Sequence, residues 1–265
     1  MPLHIVNIGS SFAAGPGIPP QVDVPAARSG ENYAHIVARR LEAKLTDLSV
    51  SGATLLNLLN EPQVEPEKTF APQIGEIPED ADVVLVLGGG NDIGYVGGMF
   101  VDSFNAYWIY RAITWAYGCF GWVPYEVPSL TTEELAERYG TVLDSVHGRV
   151  PSAKVVVVEY LSMLGPDLEP GIDLPFDAAL LDKHKGMAEQ LRRATVKAVQ
   201  GRESWCIRVP VTAVSTSHGL GSQEPWINGF GLKELYRQDA YHPNARGMIA
   251  VAKLVMEKLK ELGFT

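Results

Sequence analysis

Short apolar runs alternate along the chain with longer stretches of helical periodicity. Residues 3–8 (Leu-His-Ile-Val-Asn-Ile), 48–50 (Leu-Ser-Val), 82–87 (Asp-Val-Val-Leu-Val-Leu), 154–160 (Lys-Val-Val-Val-Val-Glu-Tyr) and 205–209 (Trp-Cys-Ile-Arg-Val) each read as a strand. Continuous apolar runs of this length suit strands covered on both faces, as in a parallel sheet. Between them, residues of about 30–45 place Tyr33, Ile36, Val37, Leu41 and Leu45 on one helical face, with Ser29 as the cap. A helical patch follows through Leu55, Leu56, Leu58 and Leu59, then helices over about 103–117, 131–148, 178–199 and 243–261. Thr131 and Glu134 have capping-box spacing, and Pro243 suits the first position of the last helix. Residues 60–80 read as a surface connection and 211–241 as a long loop. No linker or repeat divides the pattern. The expectation is one domain over 1–265, a three-layer α/β/α sandwich with a five-stranded, mainly parallel sheet.

Composition narrows the function classes. A hydrophobic fraction of 46% supports a large core in a chain of 265 residues. The net charge of −9 and pI near 5.2 exclude the basic patch that phosphate backbones require, so no nucleic-acid partner is expected. No transmembrane segment is expected, since no apolar run reaches spanning length. The N-terminal residues begin a strand without a basic region and long apolar core, so the expectation is a cytoplasmic protein unless a leader has been removed. Cys119 and Cys206 fit no zinc-ligand spacing. They read as buried small hydrophobes, with one disulfide between them left open. Neither a metal nor an organic cofactor is expected. The Walker A pattern is missing from the glycine loops, Gly88-Gly89-Gly90 has its next glycine displaced to Gly94, and no Gly-x-Ser-x-Gly elbow occurs.

Candidate chemistry sits where strands end. Gly9-Ser10-Ser11, Ser51-Gly52-Ala53-Thr54 and Gly88-Gly89-Gly90-Asn91-Asp92 follow three of the apolar runs, and Asp239-Ala240-Tyr241-His242 precedes the last helix. Loops at the carboxyl ends of parallel strands are where α/β proteins bind ligands. A serine hydroxyl needs a base to act as nucleophile, and His242 supplies one. Asp239 is the candidate to hold His242 Nδ1–H and stabilise the imidazolium. The Ser11 N–H, the Gly52 N–H and the Asn91 amide are candidate oxyanion donors. Singly, each pattern has a plainer reading: a turn, a tight strand-to-helix connection, or a helix cap at His242. Their joint order favours a site.

In that order the four blocks resemble the SGNH hydrolases, or GDSL-type esterases and lipases: Gly9-Ser10-Ser11 with Gly15, Gly52, Gly89-Gly90-Asn91-Asp92, and Asp239 to His242. The resemblance spans nearly the whole chain. It implies a flavodoxin-like sandwich, Ser11 as nucleophile, His242 as base, Asp239 as its partner, and an oxyanion hole from Ser11, Gly52 and Asn91. One position departs: where the family usually has Asp before the nucleophile, this chain has Ser10. Residues 216–247 are similar to a secreted microbial branch of the family, but Gly219-Leu220-Gly221-Ser222 lacks the cysteine common there. His218 reads as loop packing rather than a second base.

Between Tyr95 and Tyr125 lie eleven aromatic residues. Part of this stretch suits an amphipathic helix; the excess suggests an insertion or lid over about 95–127 lining an acyl pocket. Tyr95, Trp108 and Trp226 are the substrate-binding candidates. The expected function is hydrolysis of small-molecule carboxylic esters with lipid-like or medium acyl chains, through a Ser-His-Asp triad and an acyl-enzyme. The alternatives are a carbohydrate O-deacetylase of the same family or a non-catalytic ligand-binding protein of this fold.

Overall fold

The computed structural model describes residues 2–107 and 130–264. Its main sheet holds β1 (His4–Gly9), β2 (Lys44–Asp47), β3 (Val83–Leu87), β4 (Lys154–Val158) and β5 (Cys206–Val209). The order is β2-β1-β3-β4-β5, and every neighbouring pair is parallel. This is the flavodoxin-like order, which reverses direction between β1 and β3 and opens a crevice at their carboxyl ends. Helices α2 (Tyr33–Arg40) and α9 (Ala245–Glu261) pack together on one side. Helices α3 (Leu55–Leu59), α5 (Thr132–Arg149) and α6 (Ala178–Val199) pack on the other. Val83 to Leu87 and Val155 to Val158 are buried throughout, as strands covered on both faces must be.

Several boundaries differ from the sequence expectations. The second strand is Lys44–Asp47, upstream of the apolar Leu48-Ser49-Val50. It is the sheet's edge and half exposed, so it tolerates polar residues that a central strand would not. The apolar run instead passes beyond it, still bonded from Leu48 N–H to Asn7 O and from Val50 N–H to Gly9 O. Helix α2 is capped by the Asn32 side chain, which accepts from His35 N–H, rather than by Ser29. Helix α4 (Tyr95–Ala106) begins directly after the Asn91 loop, not near 103. Residues 60–80 hold a short antiparallel ribbon, Gln63–Val64 with Thr69–Phe70, and a helical turn at Gln73–Glu76. The long loop contains two short helices, α7 (Val211–Ser215) and α8 (Leu232–Arg237). Helix α9 starts at Ala245 with Asn244 as its cap, its side chain accepting from Gly247 N–H. His242 is therefore not a cap, and Pro243 lies outside the helix. The capping box at Thr131 and Glu134 forms as expected.

Candidate active site

The first loop is fixed by a close approach between β1 and β3. Gly9 has φ +152°, and a Cβ there would stand 2.1 Å from the Leu87 carbonyl oxygen. The Gln73 amide brackets it, accepting from Gly9 N–H at 2.8 Å and donating to Gly9 O at 3.1 Å. The Ser10 N–H donates to Leu87 O at 3.0 Å. These bonds aim the chain into α1 (Ser11–Ala14), whose first residue is Ser11. At the start of a helical turn the Ser11 N–H has no intrahelical acceptor.

The two serines are in different situations. Ser10 is fully buried, and its Oγ shares a 2.7 Å hydrogen bond with the Tyr160 hydroxyl. That hydroxyl also accepts from Gly90 N–H at 3.3 Å, so Tyr160 ties the serine loop to the Asn91 loop. Burial pushes the Tyr160 hydroxyl up to about 12, against its bonds with Ser10 and Gly90, so it stays protonated at neutral pH. Its ring packs on Phe12 with centroids 4.4 Å apart. Among the described residues the Ser11 hydroxyl has no such partner.

The glycine and asparagine loops are joined next. Gly52 takes φ +83°, a left-handed turn that suits a residue without Cβ. Asn91 Nδ2 donates to Ala53 O at 2.9 Å, which lays its amide across that turn and leaves a second N–H for another acceptor. Asp92 is buried behind it. Its carboxylate accepts from Leu55 N–H at 2.9 Å and from Arg138 at 2.9 Å, pinning α3 and α5 to this loop. Desolvation raises the Asp92 pKa, and these two donors oppose the rise.

The His242 loop is braced from both sides. Tyr241 is fully buried with φ +59°, an uncommon conformation for a side chain of its size. Its hydroxyl meets Ser103 Oγ of α4 at 2.6 Å, and its ring packs on Phe100 and Phe230. Asn228 N–H donates to His242 O at 2.9 Å, and Tyr241 N–H to Asn228 O at 3.1 Å. The His242 ring lies 5.8 Å from that of Phe12, centroid to centroid, so it stands beside α1. Burial drives its pKa down to about 4, partly offset by the Ala240 carbonyl, so the imidazole is neutral at pH 7.

The expected bond between Asp239 and His242 Nδ1 is not formed. Nδ1 lies 2.8 Å from Ala240 O instead. The Asp239 Oδ2 pairs with Arg237, and Oδ1 is buried without a partner among the described residues. The cause is local: the chain turns left-handed at Tyr241, which brings the imidazole back against a carbonyl two residues earlier. The Nδ1 contact fixes the tautomer, with the proton on Nδ1 and the lone pair on Nε2. No hydrogen bond joins Ser11 Oγ to His242 Nε2 among the described residues; such bonds are often long until substrate arrives.

Of the substrate-binding candidates, Tyr95 is buried and its hydroxyl lacks a partner among the described residues. Trp226 is half buried and stacks on His218, centroids 3.9 Å apart and nearly coplanar, which gives His218 the packing role expected of it. Trp108 and Cys119 lie outside the described residues, as does most of the aromatic stretch. Cys206 is buried and free. Among the described residues no group of His, Cys, Asp and Glu is arranged to hold a metal ion, and no helix is long and apolar enough to cross a membrane.

Sequence reasoning missed Tyr160, Gln73, Arg138 and the Ala240 carbonyl. Tyr160 alone left a signal, ending an apolar run at the sheet's carboxyl edge.

Residues 8–249 match the GDSL-like lipase/acylhydrolase family. The chain is 25% identical to Lipase 2 of Streptomyces coelicolor, over 97% of this chain and 86% of that protein. Its fold is similar to the crystal structure of phospholipase A1 from Streptomyces albidoflavus NA297, with a TM-score of 0.70, 20% identity, and 96% and 99% of the two chains covered. It is also similar to an extracellular lipase from Streptomyces rimosus, with a TM-score of 0.65, 19% identity, and 95% and 98% covered.

Proposed function

Because this chain belongs to the GDSL-like lipase/acylhydrolase family and is an ester hydrolase, we propose that Ser11 and His242 carry the reaction, with the Ala240 carbonyl in the orienting role usual for an acid. His242 Nε2 takes the Ser11 hydroxyl proton as Oγ bonds to the ester carbonyl carbon. The carbonyl oxygen, now an oxyanion, accepts from the Ser11 N–H, the Gly52 N–H and the free N–H of Asn91. Collapse expels the alcohol, which leaves with the proton from His242. Water, deprotonated in turn by His242, then releases the acid and restores Ser11. Asp239 is assigned to bracing the loop rather than to the imidazole.

The observation that carries this reading is the contact of His242 with Phe12, which brings a residue near the chain's end against the one following Ser11. The acyl preference follows from the apolar wall beside the His242 loop, where Phe100, Phe104 and Phe230 pack edge to face. We expect medium-chain p-nitrophenyl esters to be cleaved with higher kcat/KM than the acetate. Loss of all ester hydrolysis on Ser11→Ala, with activity kept in Ser10→Ala, is the expected result. The reverse pattern transfers the nucleophile to Ser10, and a marked preference for acetyl groups favours a deacetylase.

A further inference from the structure

The short helix α8 precedes the His242 loop by a few residues, and its outward face is unusual for this molecule. Leu232 is 87% exposed and Tyr236 is 90% exposed. They are four residues apart, so both side chains project from one face. Among the described residues no other helix shows two large apolar side chains this exposed. Lys233 and Arg237 follow each of them in sequence and are exposed on the adjoining face. Glu234 and Leu235 turn inward and are half buried. The solvent side of α8 is thus apolar with Lys233 as its one uncompensated cation among the described residues, since Arg237 pairs with Asp239 and Glu234 is half buried, in a chain whose net charge is −9.

The helix is held firmly from below. Glu234 O accepts from Asp239 N–H at 3.0 Å, and the Arg237 guanidinium pairs with Asp239. Phe230, just before α8, packs against Phe100, Phe104 and Tyr241. An apolar face beside a free lysine on a rigid support is suited to insert at the boundary between lipid headgroups and acyl chains.

We propose that α8 docks the protein on an anionic lipid surface, seating Leu232 and Tyr236 among the acyl chains with Lys233 against the headgroups. This rests on the ester-hydrolase reading for its purpose: the same contact sets the His242 loop beside ester bonds presented by an aggregate. The docking itself needs no catalysis.

The test is flotation of the full chain with vesicles of phosphatidylcholine alone and of phosphatidylcholine mixed with phosphatidylglycerol, in low and high salt. The protein is expected to float with the mixed vesicles and to do so less in high salt. Leu232→Asp with Tyr236→Asp should cut vesicle affinity at least tenfold, and Lys233→Glu should weaken only the anionic preference. Both variants should keep kcat/KM on a soluble short-chain ester within about twofold of the parent and melt as cooperatively. Unchanged flotation of the double variant, a parent chain that never floats, or sedimentation showing a dimer that dissociates in the double variant would each overturn the proposal. Flotation without any hydrolysis of the soluble ester would leave the docking in place and sink the esterase mechanism.

Discussion

Replacing Asp239 by Asn separates a carboxylate that serves the imidazole from one that serves the fold. In a Ser-His-Asp triad the equivalent change leaves the wrong tautomer and lowers kcat on the order of 10⁴-fold. Here the Asp239 carboxylate faces Arg237, and His242 Nδ1 has the Ala240 carbonyl at 2.8 Å. The tautomer is therefore set by backbone, and Asp239→Asn should cost less than about tenfold in kcat/KM, or about 1.4 kcal/mol of transition-state stabilisation. The stability change is also bounded. Asp239 is fully buried with Oδ1 unpartnered among the described residues, and burial raises its pKa against the pull of Arg237. Removing the charge relieves that desolvation, while Arg237, partly exposed, regains water. The two effects oppose, and we expect a net loss of about 1–2 kcal/mol. The assay is kcat/KM on p-nitrophenyl butyrate beside thermal denaturation of the same preparation. A fall of a thousandfold or more with the melting transition intact would refute the reasoning, since it would mean that the carboxylate reaches Nδ1 in the working enzyme.

Further outcomes follow from neighbouring contacts. Tyr160→Phe removes one hydroxyl from between Ser10 Oγ and Gly90 N–H; kcat should fall roughly tenfold with KM nearly unchanged, and Ser10→Ala combined with it should add little more. The depressed pKa of His242 keeps the base neutral well below its ordinary value of 6.5, so kcat/KM should hold steady through that pH and fall only as pH drops through about 4. An acid limb centred near 6.5 would show that the imidazole is not the buried base described. Gly9→Ala drives a methyl group into the Leu87 carbonyl and should destabilise the protein by about 3 kcal/mol, measured by urea denaturation. Burial raises the Cys206 thiol to about 12, so thiol reagents should modify it only after unfolding, as mapped by peptide mass.

The sheet was legible because its strands are buried on both faces. Val83 to Leu87 and Val155 to Val158 admit no polar residue and stand out as unbroken apolar runs. The edge strand Lys44–Asp47 was not legible, because one exposed edge removes that constraint. The four loop blocks were readable from their small residues and order. Orientation within a loop was not: Asp239 and Ala240 both lie close enough in sequence to serve His242, and the left-handed turn at Tyr241 decides between them. Tyr160 and Gln73 escaped notice because they reach the serine loop across 150 and 64 residues of sequence, Tyr160 through one hydrogen bond and Gln73 through two. Periodicity carries no record of such contacts.

Ester cleavage by this protein depends on one hydroxyl being activated by one imidazole. A fluorophosphonate probe followed by peptide mapping reads that event directly. The adduct should lie on Ser11, survive Ser10→Ala, vanish in Ser11→Ala, and form at least a hundredfold more slowly in His242→Ala. An adduct on Ser10, or one whose rate ignores the loss of His242, would contradict it.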